Sequence, residues 1–449
     1  MTADGKSSGA EVDRVAEADS RAQADSAAQA ADGKEQAADA RARAADGRER
    51  ASAFDPNSLD SWFYEDPYPT YAALREFDPV HRCPDGTYFL TRYADLDLIY
   101  RDRVHFSSDK KAEFGPKYGD SPLYEHHTSS LVFNDPPLHT RVRSLILGAL
   151  TPRAIEGMEP ALIALVDDLL DRLEEKETVD LVGEFAAAIP VEIIGNLLAI
   201  PRAERGALRD WSLAILGALE PSLPLEAHER GNRAVREFLA LLDSLVAQRR
   251  AQPGDLERDV LTRLIQGKAM GEPLSRTELL HNCIFLLNAG HETTTNLIAN
   301  ALHALTQWPG ERARLLAHSE LINTAIEEFL RFESSNQLGN RIVARDTTIG
   351  GIEMPTGTQI TLCIGAANRD PAQFPEPDRL DIGRSPNRHL AFGSGPHQCA
   401  GMHLARLEGR VAVSRLLARF PAFALAGEPL RGGRARFRGF LSLPCHMHG

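Results

Sequence analysis

Cysteine is scarce in this 449-residue chain and follows no pattern. The five residues, Cys83, Cys283, Cys363, Cys399 and Cys445, form no Cys-x-x-Cys pair. That spacing excludes a zinc ribbon and argues against a disulfide framework, so a reducing cytoplasm is expected. Long apolar runs are missing too. None approaches the ~18–20 residues of a membrane span, and no basic start followed by an apolar stretch marks a secretory signal. No membrane association is therefore expected. Basic charge is not in excess: 63 acidic against 50 basic side chains leave a formal net charge of −13. Binding a phosphate backbone needs a basic surface, so no nucleic-acid partner is expected. Aromatic residues are absent from the first 52 positions, of which about a third are alanine.

That opening segment repeats Ala-Asp-Gly at Ala3-Asp4-Gly5, Ala31-Asp32-Gly33 and Ala45-Asp46-Gly47. It carries too little apolar surface to offset its ordering entropy. Alanine, arginine and glutamate favour helix, but each interior glycine costs about 1 kcal/mol. Residues 1–52 are expected to form a disordered or transiently helical extension, and residues 53–449 a single domain. The overall composition, 43% hydrophobic and 25% charged, is that of an ordinary globular protein large enough to enclose a cofactor.

Periodicity supplies the elements. Tyr68–Arg75 reads as a helix and Thr87–Arg92 as a strand. Apolar residues at spacings of three, four and seven predict helices over Ile155–Leu173, Arg233–Arg250, Arg276–Leu305 and Glu320–Phe332. The third is apolar on most sides and belongs in a core. Arg341–Ala344, Thr348–Ile352 and Gln359–Cys363 read as strands separated by Gly and Pro. An irregular stretch, Asp370–Arg384, precedes a final helix near 400–420. The expected fold is mainly α with a smaller β region, built around one long central helix.

The most informative segment is Phe392-Gly393-Ser394-Gly395-Pro396-His397-Gln398-Cys399-Ala400-Gly401. Glycines let backbone fold tightly around a sulfur and accept φ > 0. Backbone N–H groups in such a loop can point at a thiolate. The segment resembles the cysteine-ligand loop of the cytochrome P450 family, with Phe392, Gly393, Gly395, His397, Cys399 and Gly401 at the six fixed positions. The resemblance runs from about residue 54 to the end. It implies the P450 fold and a non-covalently bound haem b, since Cys-x-x-Cys-His is absent. Cys399 is the implied metal ligand, and Phe392, Gly393 and Gly401 lie against the cofactor. Thiolate ligation pushes electron density onto the iron and favours O–O cleavage. His397 is expected to stabilise the turn.

A second constellation lies on the long helix: Ala289-Gly290-His291-Glu292-Thr293-Thr294. A glycine, an acid and paired threonines are locally unfavourable in a buried helix, and such inconsistency marks function. A Thr hydroxyl can bond a preceding carbonyl and loosen the helix, and Gly290 would let a ligand approach the backbone. This resembles the family's oxygen-activating segment. By that resemblance Ala289 and Gly290 adjoin the cofactor, Glu292 is the proton source and Thr293 the alcohol beside dioxygen.

Further roles come from the resemblance alone. Glu328, Arg331 and Arg379 correspond to a structural Glu-Arg-Arg triad, although a Glu–Arg pair three apart on a helix is by itself commonplace. Haem propionates need cations, and His139, Arg143, Arg341 and His389 match the family positions. Leu138 stands where many relatives carry Glu. Phe285, Asn288, Gln337 and Leu338 are expected at the substrate pocket. The two amides suggest an oxygenated substrate, or else they only bond the backbone.

The implied activity is that of a soluble haem-thiolate monooxygenase, which hydroxylates a C–H bond of a small, mostly apolar organic substrate with O₂. A separate ferredoxin- or flavodoxin-type donor would dock on the cysteine side, with help from Arg406 and Arg410. The protein is expected to be a cytoplasmic monomer. A peroxygenase, isomerase or nitric-oxide reductase and a haem sensor are the alternatives. Retention of Glu292-Thr293 speaks against them.

Overall fold

The computed structural model describes residues 42–256, 259–269 and 272–448. Most of the expected extension, residues 1–41, lies outside them. Residues 42–52 form a helix. A unit boundary falls between Phe54 and Asp55.

The body after that boundary is helical with a small sheet. Its elements include α1 (Tyr68–Phe77), β1 (Val80–Arg82), β2 (Tyr88–Leu90), α2 (Tyr93–Arg101) and β3 (Phe106–Ser107). Next come α3 (Pro122–Ser129), α4 (Leu138–Ala149), α5 (Glu159–Leu173), α6 (Ala188–Leu197), α7 (Leu208–Gly217) and α8 (Leu225–Ala251). The 32-residue α9 (Arg276–Gln307) follows, then α10 (Ile322–Phe332), β4 (Leu338–Val343), β5 (Gln359–Cys363) and α11 (Met402–Arg419).

Two cores share this body. The larger gathers apolar residues of α4 to α11, with Leu287, Ile298 and Leu302 of α9 fully buried in it. The smaller fills the sheet region with Leu90, Leu96, Tyr100, Ile360 and Leu362. The sheet runs in the order β1-β2-β5-β4-β3. Only the β2–β5 pair is parallel; β5 meets β4 antiparallel with Cys363 opposite Leu338 and Ile360 opposite Arg341.

Local chemistry explains where elements begin and end. A capping box opens α9: Ser275 accepts from Glu278 N and the Glu278 side chain answers Ser275 N. α9 then packs against α3, α6, α7, α8 and α11. The expected helix Ile155–Leu173 is two helices, Pro152–Glu156 and α5, because Pro160 lacks the N–H that a continuous helix needs. The expected strand Thr348–Ile352 is instead a hairpin, Thr347–Ile349 with Ile352–Met354. Its turn is made by Gly350 and Gly351 at φ +57° and +84°. α8 starts at Leu225, eight residues earlier than the apolar period indicated, since charged residues mask its first two turns. Among the described residues, no helix is long and apolar enough to cross a membrane.

Candidate active site

The cysteine loop closes on itself. Cys399 N–H donates to Phe392 O at 2.9 Å, and Gly393 and Gly395 turn the chain at φ +64° and +68°. A Cβ on Gly395 would stand 2.2 Å from Tyr100 O, so only glycine fits between the loop and α2. Cys399 is the exposed one of the five cysteines; the other four are buried. Burial around its sulfur raises the thiol pKa, opposed by the Gly401 N–H bonded to it and by the charges of Arg143 and Arg406. Gly401 thus acts through its N–H, and its missing side chain is not required by any neighbour within 4 Å.

Positive and neutral nitrogen groups gather beside this loop. Arg143 of α4 donates to Gln398 O at 2.6 Å. The His397 ring lies 3.9 Å from that of His139, centroid to centroid. Burial lowers the pKa of His139 to about 4 and that of His397 to about 2, with Arg143 and Arg341 adding to both effects. His139 is buried and its Nε2 has no hydrogen-bond partner. Arg341, also buried, donates to Asn340 O at 2.7 Å and lies over the Tyr100 ring at 5.1 Å. Neither Arg143 nor Arg341 has an ion-pair partner among the described residues. Two uncompensated guanidiniums beside an unpartnered imidazole make a built place for an anionic group.

His389 does not belong to this cluster. Its Nε2 is 3.2 Å from Glu327 Oε2 and its Nδ1 accepts from Ala391 N. Glu327 also binds Arg406 through both oxygens, at 2.6 and 2.8 Å. Burial alone would raise the Glu327 pKa, but Arg406 and His389 bring it down to about 2. The histidine that lies on His139, beside Arg143 and Arg341, is His397, two residues before Cys399.

Along α9, Ala289 is exposed and Phe285 and Thr293 are half-buried, although the turns around them are packed. These three share a helical face at four-residue spacing. Thr293 Oγ1 donates to Ala289 O at 2.6 Å, yet the helix continues unbroken, so the anticipated loosening is not present. At Gly290 a Cβ would meet Ile194 Cδ1 of α6 at 2.7 Å, so the glycine also lets α6 pack closely against α9. Glu292 is buried, and its Oε1 accepts from Arg434 Nη1 at 2.5 Å, while Arg434 Nη2 holds Leu213 O at 3.0 Å. Burial raises the Glu292 pKa to about 7 against the opposing pull of Arg434. Arg434 is a residue the sequence reading missed; only its position after Gly432-Gly433 hinted at a special turn.

The amides divide. Gln337 is fully buried, with Nε2 donating to Ser334 O at 2.8 Å and Oε1 packed at Gly365. Its Nε2 thus makes a backbone bond, while its Oε1 has no hydrogen-bond partner. Asn288 is buried with neither amide atom bonded or exposed. Leu338 is buried in β4, where its carbonyl accepts from Arg436 Nη1 at 2.7 Å.

The triad needs one correction. Arg331 binds Glu328 through Nε and Nη2, each at 2.8 Å, with both side chains fully buried. The third member is Arg384, whose Nε lies 3.1 and 3.2 Å from the Glu328 oxygens. Arg379 is exposed and its side chain reaches only Glu376, at 3.3 Å. It offers its carbonyl to Arg331 and Arg384 instead. Arg410 is paired with Glu159, as Arg406 is with Glu327, so both arginines of the cysteine side are engaged inside the molecule. They border a groove of about 510 Å³ between α10 and α11.

Comparison with known proteins agrees with this geometry. Residues 211–429 match the family model for cytochrome P450. The biotin biosynthesis cytochrome P450 of Bacillus subtilis is 34% identical over 387 residues, covering 84% of this chain and 96% of that protein. The vitamin D(3) 25-hydroxylase of Pseudonocardia autotrophica is 39% identical over 368 residues, covering 81% and 89%. Among solved structures, P450BioI in complex with an acyl carrier protein ligated to hexadec-9Z-enoic acid superposes with a TM-score of 0.81. It is 33% identical, covering 86% of this chain and all of that one.

Proposed function

This chain belongs to the cytochrome P450 family and is a haem-thiolate monooxygenase, and from that premise we propose that it hydroxylates a small, mostly apolar organic substrate. Cys399, exposed as a residue and with its sulfur bonded by the Gly401 N–H in a loop of the family's pattern, carries the reading. The residues present fit the cofactor. Cys399 would hold the iron, and Arg143, Arg341, His139 and His397 would hold the propionates. The unpartnered His139 Nε2 and the unpaired Arg341 guanidinium are the observations that support this fit. When bound, haem supplies dioxygen binding and thiolate-assisted O–O cleavage.

The chain's own groups do the rest. Phe285, Ala289 and Thr293 present an uncovered face on which an apolar substrate can lie. Thr293 offers a hydroxyl whose proton is already directed at Ala289 O, leaving its lone pairs as acceptors. Glu292, poised near neutrality between burial and Arg434, stores a proton. The overall reaction takes one O₂, two electrons and two protons, and yields the alcohol and one water. The electrons come from a separate ferredoxin- or flavodoxin-type protein in the cytoplasm. Similarity to a vitamin D(3) 25-hydroxylase and to a P450 that binds a fatty-acyl carrier protein supports an apolar substrate class. A screen of apolar acids, terpenoids and steroids with ¹⁸O₂, a ferredoxin and its reductase tests the reading. One ¹⁸O per product molecule is expected; equal product from peroxide without reductant would replace it by peroxygenase chemistry.

A further inference from the structure

A small enclosed cavity of about 20 Å³ lies against α9. It is bordered by His291, Glu292, Thr295 and Asn296 of α9, by Arg209 of α7 and by Arg434. That volume accommodates one water. The polar atoms around it are conspicuously short of partners. His291 is buried with neither ring nitrogen bonded, and Glu292 Oε2 is buried and unbonded while Oε1 takes the Arg434 contact. Buried polar atoms are bonded to protein or to ordered water almost without exception. One water in this cavity can bond one His291 ring nitrogen and Glu292 Oε2 together, giving both a partner that no protein group supplies.

The geometry points to a built water site in which His291 fixes one water against Oε2 of Glu292, making His291 a positioning residue for the proton store. The inference rests on the monooxygenase reading for its role, though not for the water itself. Burial keeps the imidazole neutral, lowering its pKa to about 4 with help from Arg209. A neutral ring has one donor and one acceptor nitrogen, so either nitrogen can bond the water without adding a charge beside Glu292. The water then gives Oε2 a partner that the protein withholds. Arg434 and Arg209 favour the carboxylate and Glu220 the neutral acid, so this extra hydrogen bond helps set the balance.

His291→Phe fills similar space without a polar atom, and His291→Gln keeps hydrogen bonding. In haem-loaded protein, a crystal structure is expected to show one ordered water within hydrogen-bond distance of both His291 and Glu292 Oε2. The infrared carbonyl band of protonated Glu292, assigned by its loss in Glu292→Gln, is expected to shift in His291→Phe and stay near its place in His291→Gln. The share of electrons reaching product is expected to fall about tenfold in His291→Phe, the scale of one hydrogen bond to a charged group, with a displaced pH profile. A dry cavity in the parent protein overturns the proposal. So does His291→Phe with an unmoved band and an unmoved pH profile. Lack of turnover in the parent would sink the enzymatic reading while leaving the water and the band intact.

Discussion

Glu328 and Glu292 are both buried carboxylates in the middle of helices, and the protein treats them in opposite ways. Glu328 receives Arg331, Arg384, Asn387 Nδ2 and Asp381 N, with both oxygens occupied. Glu292 receives Arg434 alone and keeps Oε2 free. The first arrangement is saturated and can only hold. It ties α10 to the irregular stretch that leads into the cysteine loop, through Arg331 to Asn368 O and Pro377 O at 2.9 and 2.7 Å. The second is unsaturated and can change protonation state, because burial and its single cation pull in opposite directions. Structural support wants every lone pair filled; proton transfer wants one left over.

Removing a member from each site should separate the two roles. The largest effect is expected for Glu328→Gln, followed by Arg384→Ala. Glu328→Gln leaves Arg331 and Arg384 without their shared carboxylate, which costs roughly 3–5 kcal/mol, whereas Arg384→Ala costs less because Arg331 still binds Glu328 through two bonds. Chemical denaturation of the haem-loaded protein should show it, with catalytic coupling unchanged in whatever fraction remains folded. Glu292→Gln is expected to do the reverse: a smaller loss of stability, because Arg434 keeps Leu213 O and part of its solvent contact, with product formation slowed about 100-fold, on the scale of one general acid. A denaturation midpoint that moves as far as in Glu328→Gln would erase the distinction.

Thr293→Ala comes next. It should keep substrate binding and electron uptake, but divert several-fold more of the electrons to peroxide. Peroxide assay against NADPH use reads this directly. The pH dependence follows from the same site. Glu292 donates as the neutral acid, which predominates below about 7, so coupling should fall as pH rises through that value. Glu292→Gln should flatten the profile. The smallest effect is expected for Arg379→Ala, within about 0.5 kcal/mol, because its exposed side chain touches only Glu376 and the carbonyl it contributes survives. A loss comparable to Arg384→Ala would restore Arg379 to the triad.

The same contrast shows what was legible beforehand. The Glu328–Arg331 pair was readable because helical geometry alone brings residues three apart together. The Phe285–Ala289–Thr293 face was readable for the same reason. Arg384 was not, since two arginines five residues apart in a chain segment without regular structure offer no periodicity to choose between them. Only the path of that segment carries one side chain inward and leaves the other in solvent. His397 and His389 pose the same problem eight residues apart, settled by Glu327 capturing one and His139 stacking on the other. That Gly290 also receives Ile194, from a helix almost a hundred residues away, was likewise out of reach of local pattern.

By itself the sequence determined the thiol-bearing loop, the shared helical face of Phe285, Ala289 and Thr293, the Glu328–Arg331 pair and the mixture of many helices with a small sheet. Those features depend on residues within a few positions of one another, where backbone geometry dictates the neighbours. The tertiary structure alone decided which arginine completes the triad, which histidine joins Arg143 and Arg341, and that Arg434 meets Glu292 across 142 positions. Such partners are selected by the packing of whole elements. Many arginines are chemically equivalent in the chain, and only the fold brings one of them within hydrogen-bond distance of a buried acid.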